Sequence, residues 1–359
     1  MEIVENKPFE LEFSRNLPEL LHQLNISIAL TTYQAGKVIF ISAPTAHTLS
    51  QRLRSFRKPM GLHYENGHII LATKHEVVVF ANAPELAATY PRLKNRYDAL
   101  FLPRVSYHSN YLDIHDVAMG ENGKILAVNT SFSCIAELDA FYNFRPIWKP
   151  EFVSEICPED RCHLNGMVVK DGKPIFATAF NQGDSPKSWK ADITQTGILL
   201  DVAQNKVILD KLPMPHSPKL YQNELYMLLS ATGDLIKVNP QNGSYEVVFQ
   251  TFSFVRGLSF CGDYAFIGTS RFRKTSSTFA KLQLPLHNDQ CGFVVVHLPT
   301  RTKVAELRYK SSVNELYEVA VLPDCRQPCI LNKEREEYQR AIISKEWSGW
   351  RKAKKRKLE

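Results

Sequence analysis

The chain has 359 residues, of which 44% are hydrophobic and 23% charged, an ordinary globular balance that excludes general disorder and supports a sizeable core. Seven cysteines are an odd count with no C-x-x-C pair, and no apolar run reaches the ~20 residues a bilayer span needs, so the expectation is a cytoplasmic chain with free thiols and no transmembrane segment. The net charge of +7 is concentrated at one end, since residues 332–359 hold ten Lys/Arg against five Glu, which argues against a nucleic-acid-binding face on the remainder.

Residues 1–21 lack the basic and apolar regions of a signal peptide, and 17–24 read as a short helix within an N-terminal extension over 1–25. Residues 26–31 and 37–42, joined by a turn at 33–36, read as two strands with no partner before them. From there one plan recurs. A strand, a turn rich in Gly, Asn and Asp, and a second strand ending at Thr or Ser appear at 60–64 and 69–73, 115–119 and 125–130, 165–169 and 175–178, 217–221 and 225–230, and 256–260 and 265–269. The turn residues supply the positive φ angles that tight hairpins need. Third strands follow at 76–80, 134–138, 197–202, 234–238 and 292–298, and polar fourth strands at 206–209, 244–250 and 303–309. Segments 99–112, 181–196 and 271–290 read as long loops. The first two carry Arg104, Trp189 and neighbouring basic and aromatic residues, and the first leads directly into the strand at His115. Residues 316–321 form a first strand with no second after it, and 332–350 read as a basic C-terminal helix.

Four-stranded units at this spacing predict an all-β fold, a β-propeller. Five units are complete, and the orphan strand at 316–321 complements the orphan pair at the N-terminus. Joining them predicts six blades over 26–330, a ring closed by N-terminal strands pairing with a C-terminal inner strand, and a tail over 331–359. Such closure removes exposed sheet edges.

Inner strands converge on the propeller axis. Their entry positions read Met60, His115, Asn165, Ser217, Arg256 and Tyr317; two residues earlier they read Lys58, Asp113, His163, Pro215, Phe254 and Glu315. His115, His163 and His216 come from consecutive blades, and three imidazoles with an open position is how catalytic zinc, iron and related ions are held. A divalent transition metal, Zn, Fe or Mn, is the expected cofactor, and no nucleotide cofactor is predicted. Glu315 or Asp113 would be a further ligand or general base, and Arg256 a clamp for a substrate oxyanion. Arg161, Asn165, Arg104, Trp189 and Tyr317 would line the substrate. An equally weighted alternative makes the same groups a structural polar network. Cys162, beside His163, reads as a buried thiol rather than a nucleophile, because adjacent strand residues point apart.

Several segments are longer than chance motifs: 31–37 (TTYQAGK), 57–62 (RKPMGL), 129–134 (NTSFSC), 158–166 (PEDRCHLNG), 214–218 (MPHSP) and 314–317 (NELY). Through them the chain resembles, over about residues 13–330, an uncharacterised family of bacterial conserved hypothetical proteins defined by a domain of unknown function. The resemblance implies a propeller-like fold and no activity. The six-bladed plan is also similar to gluconolactonase and strictosidine-synthase-like propellers, although this chain lacks a clear copy of their carboxylate and asparagine ligands. Two functions are therefore expected: a metal-assisted lyase, hydrolase, isomerase or oxygenase acting on a small polar molecule or modified peptide, or a non-catalytic module recognising a glycan, peptide or partner protein. Oligomeric state is left open.

Overall fold

The computed structural model describes residues 7–91, 93–271 and 290–352. Six antiparallel sheets stand around one axis. Blade one joins Glu318–Pro323 to Ile26–Thr32, Lys37–Thr45 and Thr48–Ser55, so both ends of the chain meet in it. Blade two contains Leu62–Glu65, His68–Ala72, Val77–Asn82 and Ala99–Tyr107; blade three runs from Ile114–Met119 to Arg145–Trp148; blade four from Leu164–Lys170 to Lys206–Leu212. Blade five runs from Pro215–Tyr221 to Ser244–Gln250, and blade six from Phe254–Cys261 to Thr302–Tyr309. The six inner strands touch in ring order, and Glu318–Pro323 touches both Phe254–Cys261 and Leu62–Glu65. The expected closure is present.

The sequence makes blades because the middle strands are apolar on both faces. Ile28, Leu30, Ile39 and Ile41 pack toward blade six, while Ala29, Val38 and Phe40 pack toward blade two. Alternate residues of one strand thus serve opposite neighbours, and each of the six blade interfaces has its own apolar cluster. The Thr or Ser at the end of the second strand joins blades in four cases. Thr31 donates to the Met60 carbonyl at 2.7 Å, Thr130 to Leu164 at 2.6 Å, Ser230 to Val255 at 2.6 Å and Ser270 to Leu316 at 3.2 Å. Thr31 also accepts the Glu318 N–H at 3.0 Å, so it ties three strands. Thr31→Val keeps the shape but strands a buried donor and a buried acceptor, and equilibrium denaturation is expected to register a loss of about 2 kcal/mol; an unchanged midpoint would show that these stitches are dispensable.

Two expectations need correction. Residues 99–112 are not a loop: Ala99–Tyr107 is the fourth strand of blade two, with Pro328–Ile330 added parallel outside it. Residues 332–350 are not one helix, because only Glu336–Arg340 is helical and Ala341–Ile343 pairs with Ser348–Trp350. Trp350 then packs on Tyr90 at 5.5 Å. The N-terminal extension is also part of the architecture. Leu11–Phe13 extends blade six, and helix Leu17–Gln23 buries Leu17 and Leu21 between blades six and one. Of the expected loop at 271–290, only the two end residues, Arg271 and Gln290, are described; residues 272–289 lie outside the described residues. No described helix is long and apolar enough to cross a membrane.

Candidate functional site at the propeller axis

The chain enters the inner strands of blades two, three and four through Lys58, Asp113 and His163, at equivalent positions, with φ of 50°, 52° and 53°. Left-handed backbone is unfavourable for residues with a Cβ and persists where the surroundings demand it. One local consequence is visible at two histidines. Asp113 (φ 52°) turns its carbonyl onto His115 Nδ1 at 2.8 Å, and Met214 (φ 57°) turns its carbonyl onto His216 Nδ1 at 3.2 Å. A carbonyl only accepts, so Nδ1 carries the proton and Nε2 keeps its lone pair. Ser230 gives its own proton to Val255 and accepts from His216 Nδ1 at 2.8 Å. His163 Nδ1 lies 3.1 Å from both oxygens of Asp160, whose Oδ2 also accepts from Trp189 Nε1 at 3.0 Å.

His115, Asp116, Asn165, His216, Ser217, Arg256, Tyr317 and Glu318 surround a void of about 10 Å³, traced by the centre of a water molecule, which is room for about one water or one ligand oxygen. Three polar atoms of these residues are buried without a hydrogen-bond partner among the described residues: Arg256 Nε, Asn165 Nδ2 and His216 Nε2. Arg256 is 8% exposed. Its guanidinium lies 5.5 Å from the Phe254 ring and 5.2 Å from the Tyr317 ring, and no carboxylate pairs with it among the described residues. Burial pushes its pKa down from the usual value, against the pull of Tyr317 and Asp113.

Burial sets the other protonation states too. It pushes His115 down to about 3, with His163 and Arg256 adding to the effect and Asp113 opposing it. His216 is held well below its ordinary value by burial, then by Arg256. Both imidazoles are neutral bases at neutral pH. Burial would raise the Asp113 carboxyl, but His115 and the Lys58 ammonium, 2.7 Å away, hold it low. The Cys162 thiol is pushed up to about 12 by burial, so it is not a nucleophile.

Of the expected site residues, the fold gathers His115, Asn165, His216, Arg256 and Tyr317 around the void. His163 meets His115 at 4.9 Å, but Phe180 stands between His163 and His216, 4.7 and 5.0 Å from their rings. Among the described residues, no three His, Cys, Asp or Glu are placed to share one ion. Glu315 is buried and bonded to the Tyr33 hydroxyl. Trp189 packs on His163 at 4.1 Å. Two expectations need correction in position. Arg161 spends its guanidinium on Ser154, Glu155, Glu159 and Asp184, and Arg104 is exposed on Ala99–Tyr107, the fourth strand of blade two, with two strands between it and the inner strand Leu62–Glu65. Tyr33, Phe180 and Glu318 were not singled out as site residues by the sequence, although Glu318 directly follows Tyr317 in the chain.

Among solved structures, a chain of a nidogen/laminin complex superposes with a TM-score of 0.54 at 8% identity, covering 83% of this chain and 99% of that one; at this identity the likeness concerns the fold alone. No curated protein matches the sequence. The profile of a domain of unknown function, DUF4915, matches residues 15–331, and with nearly the whole propeller inside that match the chain belongs to the DUF4915 family.

Proposed function

We propose that the axial mouth binds a small molecule through an oxyanion and a neighbouring hydroxyl, as a hydroxycarboxylate presents them. The observation that supports this reading is Arg256, a buried cation with no ion pair among the described residues and an unspent Nε–H. Burying a charge without a partner costs several kcal/mol, and a ligand anion offsets that cost. Asn165 Nδ2 offers a second donor beside it, while His216 Nε2 offers an acceptor for a hydroxyl proton. Neutral His115 and His216 give the site acid–base capacity. The small void suits the anionic head of such a ligand, with the remainder lying above it in the mouth.

Thermal-shift measurements with glycolate, lactate and phosphate at millimolar concentration test the reading. A rise in midpoint with at least one of them, lost in Arg256→Gln, is the expected result. No rise with any of them, or an unchanged rise in the variant, would overturn it.

A second reading has its own support: all three imidazoles commit Nδ1 to a carbonyl, hydroxyl or carboxylate, as metal-ligating histidines do. A zinc, iron or manganese ion held by Nε2 atoms would then polarise the substrate. The guanidinium of Arg256 in the same void opposes a cation there. Metal analysis of protein purified without chelator separates the two, since a stoichiometric ion lost in His115→Ala and His163→Ala supports only the second.

A further inference from the structure

Equivalent positions just inside the mouth carry Asp116 in blade three and Glu318 in blade one. Each reaches the backbone of an adjacent blade, but they spend their oxygens differently. Asp116 uses both, Oδ1 accepting from Val117 N at 2.9 Å and Oδ2 from Met167 N at 3.0 Å. Glu318, one methylene longer, brings both of its N–H donors to a single oxygen. Oε1 accepts from Val319 N at 3.1 Å and Leu258 N at 3.3 Å. Oε2 has no hydrogen-bond partner among the described residues, and Glu318 is 4% exposed and lines the same void as Arg256.

We propose that the Arg256 site takes its anion together with a proton, and that Glu318 Oε2 receives that proton. The inference rests on the reading of Arg256 as an oxyanion site and adds a chemical condition to it. The ligand is bound as the equivalent of its neutral acid. Where Glu318 is ionised before binding, the proton comes from solvent and the net charge of the site is unchanged by binding.

The groups facing Glu318 set the pH at which this operates. They are Lys219 and His216 from blade five, Asp116 and His115 from blade three, Arg256 from blade six and Tyr317 on its own strand. Burial raises the Glu318 carboxyl to about 7, Asp116 reinforces this, and Lys219 and the two N–H bonds oppose it. An anion against Arg256 places another negative charge in the same poorly solvated void, which raises the carboxyl further. By reciprocity, protonation of Glu318 tightens anion binding by the same factor. Below pH ~7 the carboxyl is already protonated and affinity is flat; above it, each pH unit costs about a factor of ten in affinity.

Calorimetric titration of the full chain with glycolate, which does not itself titrate in this range, reads the effect. At pH 8.5 the wild type is expected to take up close to one proton per glycolate, detected by comparing buffers of different ionisation enthalpy, and to bind roughly tenfold more weakly than at pH 7.5. Glu318→Gln is expected to bind with the low-pH affinity at both pH values and to take up no proton. Glycolate binding that is lost in Arg256→Gln yet independent of pH, without proton uptake by the wild type, would overturn this inference and leave the oxyanion reading standing. Absence of glycolate binding at pH 6.5 would overturn the inference directly. The proton count is read on the wild type, so the test stands even where Glu318→Gln does not fold.

Discussion

Arg256→Met is expected to raise the thermal midpoint of the anion-free protein, by roughly 2–6 °C at about 2 °C per kcal/mol for a domain of this size. The wild-type guanidinium is buried at 8% exposure, carries an unsatisfied Nε–H, and has no carboxylate partner among the described residues. Leaving such a charge unpaired costs about 3–5 kcal/mol. The opposing term is its contact with Phe254 and Tyr317 at 5.5 and 5.2 Å, about 0.5–2 kcal/mol for each ring. The charge penalty wins by a small margin, and methionine keeps much of the volume while adding an apolar contact to both rings. Stability gained at the expense of ligand binding is the signature of a residue kept for its site. Differential scanning calorimetry in a buffer without carboxylate or phosphate measures it. A midpoint that falls by several degrees would mean that the guanidinium is paired in the folded protein and is structural, which removes the support for an anion site.

The ring was legible in the chain because its signals are local. Hairpin turns, double-faced apolar strands and the terminal Thr or Ser recur in each unit, and the two orphan segments complete each other. Where a neighbour from distant sequence changes the local pattern, the reading fails. Residues 99–107 lack the polar alternation of the other fourth strands because Pro328–Ile330 covers Ala99, Leu100 and Phe101, which are consequently buried, and Pro103 interrupts the run. In the tail, charge hid a hairpin whose Ile343 and Trp350 pack with Leu86 and Tyr90 in the connection between the third and fourth strands of blade two. At the axis, aligning inner strands located Arg256, His115, Asn165 and Tyr317, since period-2 geometry carries over from blade to blade. It did not locate Phe180, whose ring separates two of the expected metal ligands and which directly follows the second strand of blade four, Lys173–Ala179. Arg161 was legible in principle: carboxylates two and six residues before it, at Glu159 and Glu155, mark a side chain already occupied.

The throat of the ring explains the second large effect. Around the axis, the position after the mouth residue alternates between glycine and a larger residue: Gly61, Asp116, Gly166, Pro218, Gly257 and Glu318 in ring order. Each glycine admits the next blade. A Cβ on Gly61 would lie 2.9 Å from the His115 carbonyl oxygen, one on Gly166 2.5 Å from Pro218 Cδ, and one on Gly257 2.5 Å from Val319 N and 2.8 Å from the Glu318 carbonyl carbon. Gly257 also has φ +79°, which costs an alanine about 1–2 kcal/mol before any clash. The clashing atoms are backbone and cannot rotate away, so blade six must move from blade one at the point where Arg256, Tyr317 and Glu318 meet. Gly257→Ala is therefore expected to cost about 3–5 kcal/mol, combining the left-handed strain with overpacking, and to abolish glycolate binding in whatever fraction folds. Gly262→Ala is the control, because its φ is +55° but nothing lies within 4 Å of the added carbon, and its cost is about 1 kcal/mol. Urea titration of the two variants measures the difference. Equal midpoints would mean that the inner strands have slack at the axis, and a throat with slack cannot hold a guanidinium, an imidazole and a carboxyl group around a single ligand oxygen.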